Sequence, residues 1–347
     1  MEKKESPEHV RLSLAAAMTL RLASGRFYRN ARLYCINLLL TYSSGCVGKC
    51  SYCGLSKERE GEYEEKSFIR VPWPVYRVET LRERLNKYAA WVERVCISMI
   101  TNQRAIKDTV VITKYLKKKT TLPISLLVSP TIITDSTLRE FKDAGAEIVS
   151  IAIDAATEEL FNLNRGRGVK GPHKWNKYWQ TLEKAVEVFG KDKVGCHLIV
   201  GLGETEKEMV KTIQRVKDLG AMTHLFSFYP EVGSLLEDRA SCNAGQYRRV
   251  QLARYLIDHE LSRVEQMGYD QGARIIDFGL NGGRLNEVID SGVPFQTSGC
   301  SGRTKEAACN RPFGDGPPSD IRSFPFELDM GDLKEVKAQL EAVGTKV

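Results

Sequence analysis

The chain has 347 residues, 42% of them hydrophobic and 27% charged, with a formal charge of +7. That length can bury a sizeable core, and its apolar runs are too short to cross a bilayer. Its nine cysteines, an odd number with three clustered, argue against a secreted disulfide framework. Residues 1–5 lack the apolar stretch of a signal peptide, which sets the expectation of a cytoplasmic protein. The positive charge suits an acidic partner without choosing among nucleic acid, a small anion and an acidic carrier protein.

Ser6-Pro7-Glu8 reads as a helix start, with Val10, Leu14, Met18 and Leu22 at helical spacing and Gly25 as the stop. Residues 1–30 are therefore expected to form a helical extension. From residue 33 onward, β-rich apolar runs alternate with amphipathic helical patterns. Strands are predicted at 33–41, 94–100, 124–128, 148–153, 195–200, 224–228 and 274–278, with a weaker one at 293–297. Helices are predicted at 78–92, 104–116, 136–144, 175–189 and 207–219. The run Lys117-Lys118-Lys119 reads as a solvated helix end complementing the dipole, or less simply as a binding patch. Nearly continuous Val/Ile/Leu strands separated by helices indicate an α/β protein with a parallel sheet covered by helices. The number of units fits a (β/α)8 TIM-type barrel, complete or partly open, over residues 31–298. Residues 299–347 form a loop rich in Cys, Gly and Pro and a closing helix.

The chemistry concentrates in Gly45-Cys46-Val47-Gly48-Lys49-Cys50-Ser51-Tyr52-Cys53, at the end of the first strand. A [4Fe–4S] cluster is usually held by four thiolates, so three on one short loop leave one iron open to a chelating small molecule. Zinc would normally ask for a fourth Cys or His nearby, and the next cysteine is Cys96. Buried thiols are the remaining reading, but three in nine polar, glycine-rich residues suit a core poorly. After the fifth strand comes Val200-Gly201-Leu202-Gly203-Glu204, a glycine-rich turn without the third glycine of a dinucleotide fingerprint. The fourth strand ends at Asp154, either a ligand contact or a helix cap.

The Cys46/Cys50/Cys53 loop with Tyr52, the strand end at 200–204, Asp154 and the segment Tyr229-Pro230-Glu231-Val232-Gly233-Ser234 resemble the radical S-adenosylmethionine (SAM) superfamily, in its biotin synthase, lipoyl synthase and hydrogenase-maturase branch. The resemblance implies that Cys46, Cys50 and Cys53 hold a [4Fe–4S] cluster whose open iron binds SAM. It further implies that Val200, Gly201, Gly203 and Glu204 lie at the adenine and Asp154 at the ribose, with one of Arg165, Arg167 and His173 at the carboxylate. Asn102 stands where the family often has a Gly-Gly-Glu-like stretch for the amine, and Tyr52 is grouped with these cofactor contacts. Cys35, Cys96 and Cys196 fall within apolar strands, where inert thiols are common; Cys96 could face the barrel interior, and Cys196 is one residue out of register with the cluster cysteine of biotin synthase. Cys300-x8-Cys309-Asn310-Arg311-Pro312-Phe313 looks like the cluster-binding tail of some biotin-synthase-like proteins. It suggests a second, auxiliary iron–sulfur cluster held on the same rim by Cys242, Cys300 and Cys309, with Ser298 or Ser301 as a fourth ligand. Unrelated surface thiols are the alternative.

Within the branch the chain is most similar to one subunit of the two-protein archaeal-type lipoyl synthase. That implies a sulfurtransferase acting through a 5′-deoxyadenosyl radical on an octanoyl chain of a lipoyl carrier protein. An electron donor such as ferredoxin or flavodoxin and a sister subunit would be its partners. Sulfur insertion into a free small molecule, or a radical mutase or maturase, is the nearest alternative, and a zinc- or cluster-binding scaffold the non-enzymatic one. No membrane partner is expected, and the absence of a recognisable RNA-binding module disfavours nucleic acid.

Overall fold

In a computed structural model, which describes residues 3–314 and 316–341, the alternation of apolar runs and helices resolves as follows. The chain opens with β1 (His9–Leu12) and α1 (Leu14–Thr19), followed by β2 (Cys35–Leu40), β3 (Val75–Arg77) and α2 (Val78–Tyr88). Strand–helix units then continue through β4 (Arg94–Ser98), α3 (Ala105–Lys119), β5 (Ile124–Val128), α4 (Asp135–Asp143), β6 (Ala146–Asp154), α5 (Glu158–Asn164) and α6 (Trp175–Phe189). They end with β7 (Val194–Val200), α7 (Glu206–Asp218), β8 (Met222–Ser227) and α8 (Ala244–Asp258). A small hairpin of β9 (Gly268–Tyr269) and β10 (Ile275–Asp277), α9 (Gly282–Asp290) and α10 (Met330–Glu341) complete it.

One eight-stranded sheet runs in the order β3-β1-β2-β4-β5-β6-β7-β8. From β2 to β8 every pairing is parallel, and β1 joins β2 and β3 antiparallel. Among the described residues β8 and β3 do not pair, so the curved sheet is a partly open barrel. Successive strand residues point to opposite sides. Ile36, Leu38 and Leu40, Val95 and Ile97, and Val149, Ile151 and Ile153 are fully buried under the helices. Asn37 and Leu39, Cys96 and Ser98, Ser150, Ala152 and Asp154, His197 and Ile199, and His224 and Phe226 line an internal cavity of about 780 Å³.

Three expectations are corrected. The N-terminal segment is a strand before it is a helix: β1 pairs along β2, and the cap of α1 is Ser13, whose side chain accepts from Ala16 N, not Ser6. Tertiary pairing outweighs the helical spacing here, because Val10 and Leu12 bury one face of the strand while Arg11 reaches across the other. The 274–278 run is only the short β10, paired with β9 outside the main sheet. The 293–297 run is a 3-10 turn at Val293–Phe295, where Pro294 supplies a fixed φ and no donor. Beside β8, Ser298 Oγ accepts from Leu225 N (2.9 Å), and Gln296 and Phe324 form an isolated parallel bridge within the C-terminal segment.

The C-terminal segment is tied down by Arg248 of α8, which is 1% exposed and donates to the carbonyls of Arg322 (2.6 Å) and Ile321 (2.6 Å). At the other end Arg11 holds the loop between β2 and β3, donating to Trp73 O and Tyr63 O, each at 2.8 Å, and to Lys66 O. A carbonyl left buried and unpaired costs about 1–3 kcal/mol. Arg11→Met, which keeps the volume and removes three donors, should therefore destabilise the protein by about 3–5 kcal/mol. A matching fall in the urea midpoint, with new protease cleavage between residues 43 and 74, checks this.

Candidate active site

The Cys46–Cys53 loop leaves the C-terminal end of β2, on the strand-end rim where barrel enzymes build their sites. It is pinned from several sides. Val47 N donates to Thr101 O (2.9 Å), Ser51 N to Asn164 O (2.7 Å) and Lys57 N to Gly48 O (2.8 Å). Asn102 spends its amide on this loop, giving hydrogen bonds to Gly45 O and Ser44 Oγ, both at 3.0 Å, and accepting from Arg104 N at 3.1 Å. It lies outside the cavity wall, so the structure gives it a part in positioning the loop. Cys46, Cys50 and Cys53 all line the cavity.

These thiols fit an iron–sulfur cluster. Backbone N–H groups already point at the sulfurs, from Gly48 to Cys46 Sγ (3.3 Å) and from Leu55 to Cys53 Sγ (3.4 Å). Burial pushes Cys50 up to about 11 and Cys53 well above its ordinary value. Thiols this reluctant to ionise become thiolates when a bound cation takes the proton's place.

Across the mouth stands a buried polar chain. β6 slips register between Ala152 and Asp154, and Asp154 adopts a left-handed φ of 67°, which aims its carboxylate inward. Asp154 Oδ2 accepts from Tyr52 Oη and from Arg165 Nη1, each at 2.6 Å. Arg165 Nη2 reaches Tyr178 Oη (3.2 Å), which contacts His173 Nδ1 (2.9 Å), itself 2.6 Å from Thr131 Oγ1. Burial, then the Arg165 charge, holds His173 down to about 2, so its imidazole is neutral. Arg165 Nε is buried with no hydrogen-bond partner among the described residues. Of the three candidate cations, Arg165 and His173 line the cavity, whereas Arg167 is exposed on a 3-10 turn outside it.

The turn at 200–204 sits on the rim just beyond Ile199. Gly201 and Gly203 have φ of 103° and 119°, and a Cβ on Gly201 would stand 2.8 Å from Cys242 Cβ. Glu204 braces the turn by accepting from Gly201 N (2.6 Å) and Leu202 N (2.9 Å). Val200 is buried among the core residues outside the cavity.

The three thiols expected to share the rim are separated. Cys242 packs on Gly201, and its Sγ donates to Asn243 O (3.4 Å). Cys300 and Cys309 lie instead toward the opposite, N-terminal end of the strands, with Cys35 of β2 and Cys96 of β4. The chain after residue 298 passes beneath the barrel, where Arg94 at the start of β4 donates to Ser301 O. Cys309 takes a hydrogen bond from the Cys35 thiol and, with Arg311 and Asn37 beside it, is drawn down to about 6. Burial pushes Cys35, Cys96 and Cys300 up. Cys196 faces the helix layer, in keeping with its register. Sequence reasoning missed Tyr178, and it named Glu231 within the 229–234 segment without assigning it a role. Glu231 is buried and accepts from Arg70 N (2.6 Å) and Ser67 Oγ (2.5 Å), tying the 54–71 segment to the end of β8.

Removing one partner of a buried ion pair costs about 3–5 kcal/mol, because the other charge is left uncompensated. Asp154→Ala should lower stability by about that much, and Asp154→Asn, which keeps an acceptor, by less. Thermal unfolding of the protein free of cofactors checks the order.

Residues 40–216, just over half of the chain, match the family model of the radical SAM superfamily. No curated protein sequence matches. Among solved structures, methylornithine synthase (PylB) is 16% identical with a TM-score of 0.51, over 96% of this chain and 86% of that one. HydG, a maturase of the [FeFe]-hydrogenase, is 14% identical with a TM-score of 0.51, over 70% of this chain and 53% of that one. At such identities the likeness is one of fold. The family match, three thiols on the loop after β2 and a partly open strand–helix barrel together make this chain a member of the radical SAM superfamily.

Proposed function

We propose that the protein inserts sulfur into an unactivated C–H bond of an acyl chain carried on a protein, most simply an octanoyl group on a lipoyl carrier domain. Family membership implies a [4Fe–4S] cluster and SAM. When bound, these cofactors supply a 5′-deoxyadenosyl radical for hydrogen removal, and a second iron–sulfur cluster would supply the sulfur. The observation that carries the reading is the cavity itself: about 780 Å³, reaching from Cys46, Cys50 and Cys53 at one end to Cys96, Cys300 and Cys309 at the other.

The chain's own residues divide the work. Cys46, Cys50 and Cys53 would anchor the cluster. Arg165 Nε, buried and unpartnered among the described residues, suits the SAM carboxylate. Asp154 and Tyr52, already hydrogen-bonded to each other, suit the ribose, and the Gly201–Gly203 turn offers backbone to the adenine. Leu39, Leu127, Ile199 and Phe226 line the cavity. Their apolar surface favours an alkyl chain over water, excluding solvent from a reactive carbon centre and holding the target near its partner. A free small molecule would also fit a cavity of this size, which makes sulfur insertion into such a substrate the second outcome to test.

Arg165→Lys removes the fork while keeping the charge, and should weaken SAM binding about 10–100-fold at a cost of one or two charge-assisted hydrogen bonds. Equilibrium binding to the cluster-loaded protein measures this. For the activity, anaerobic incubation with SAM, a reductant and an octanoylated carrier peptide should add sulfur to the peptide by mass. Cys50→Ala should form no 5′-deoxyadenosine. Consumption of SAM with the peptide unchanged would reject the acyl substrate.

A further inference from the structure

We propose that Cys35, Cys96, Cys300 and Cys309 together hold an iron–sulfur cluster at the floor of the cavity. The proposal rests on the radical SAM reading above and gives the second cluster a ligand set that the rim set of Cys242, Cys300 and Cys309 does not provide.

The four residues come from three distant parts of the sequence and form one packed group with Ile148, separate from the main core. All four are free thiols. Cys35 shares a hydrogen bond with Cys309, and each of Cys96 and Cys300 lies within electrostatic reach of Cys309. Strand geometry explains the convergence. Cys35 shares the inward face of β2 with Asn37, and Asn37 pairs in register with Cys96 of β4. The other two thiols rise from the loop that runs beneath these strands.

The surroundings are those of an anionic group. Asn37 Nδ2 points at Cys309 Sγ (3.6 Å) and Cys35 Sγ (3.9 Å). Ser150 Oγ and His224 Nε2 stand 3.6 and 3.7 Å from Cys300 Sγ. Arg94 has a side chain with 0% exposure, lies within electrostatic reach of Cys96 and Cys300, and its Nη1 has no hydrogen-bond partner among the described residues. Its carboxylate partner among the described residues, Glu147, is shared with Lys193. A buried cation with a donor to spare, beside four thiols, suits a thiolate-ligated cluster, whose charge and hydrogen bonds set its properties. Space is kept open by Gly195, where a Cβ would stand 2.5 Å from Ser150 Oγ and 2.7 Å from His224 Nε2.

Among the described residues no three Cys, His, Asp or Glu side chains are gathered closely enough for one metal ion, and that is as true of Cys46, Cys50 and Cys53. Three of the four, Cys96, Cys300 and Cys309, face the cavity, so a bound substrate would meet the cluster directly.

The test is metal content in the full-length protein with Cys46, Cys50 and Cys53 all changed to Ala, reconstituted anaerobically with iron and sulfide. Retained iron, acid-labile sulfide and visible charge-transfer absorption are expected; no retained cluster, or zinc in its place, overturns the proposal. In the otherwise unaltered protein, Cys35→Ala or Cys96→Ala should each reduce the iron attributable to the second cluster at least several-fold, while Cys242→Ala leaves it unchanged. The reverse pattern would return the site to the rim. Circular dichroism and SAM cleavage by the first cluster show that a variant has folded, and Cys309→Ser serves where Ala does not. Because iron and sulfide are counted without turnover, a cluster found in a protein that adds no sulfur would refute the proposed function and leave this site standing.

Discussion

The alternation of side chains along parallel strands governs this molecule. Each inner strand is buried on both sides, and its two faces carry different chemistry. Outward residues such as Ile97, Leu126, Ile151 and Leu198 are aliphatic and fully buried under helices. Inward residues include Asn37, Ser98, Ser150, Asp154, His197 and His224. Packing against the helices supplies stability, so the inner face is released for small and polar side chains that leave a cavity.

That cavity is graded along its length. At the C-terminal rim, a loop thiol motif faces a buried chain of Tyr52, Asp154, Arg165, Tyr178 and His173. Leu39, Leu127, Ile199 and Phe226 add aliphatic and aromatic surface to its wall. The floor gathers four thiols beneath Ser150 and His224. Two straps keep the ends in place. Arg11 secures the loop behind the upper thiols, and Arg248 secures the C-terminal segment that carries the lower ones. Both are buried guanidiniums donating to backbone carbonyls, an arrangement that fixes irregular chain where no sheet or helix ladder can. The same device appears at Glu231, with the charge reversed, on the 54–71 segment.

The β/α alternation, the six parallel strands from β2 to β8 and the thiol loop were legible from the sequence, because each is a local pattern: a continuous aliphatic run, a helical period, or three cysteines within eight residues. Asp154 was legible as a strand end. Which basic residue enters the cavity was not, since Arg165 and Arg167 differ by two positions in one connection and only the backbone path buries the first and exposes the second. The last two expected strands failed for want of length and through Pro294, and β1 was hidden by a helical spacing that its pairing with β2 overrode. Local pattern thus determined the class of chemistry and the rim on which it sits. Tertiary structure alone decided the grouping of Cys35 and Cys96 with Cys300 and Cys309, because contacts between residues more than 200 positions apart depend on strand register and on where the final loop closes the barrel, neither of which leaves a periodic trace in the chain.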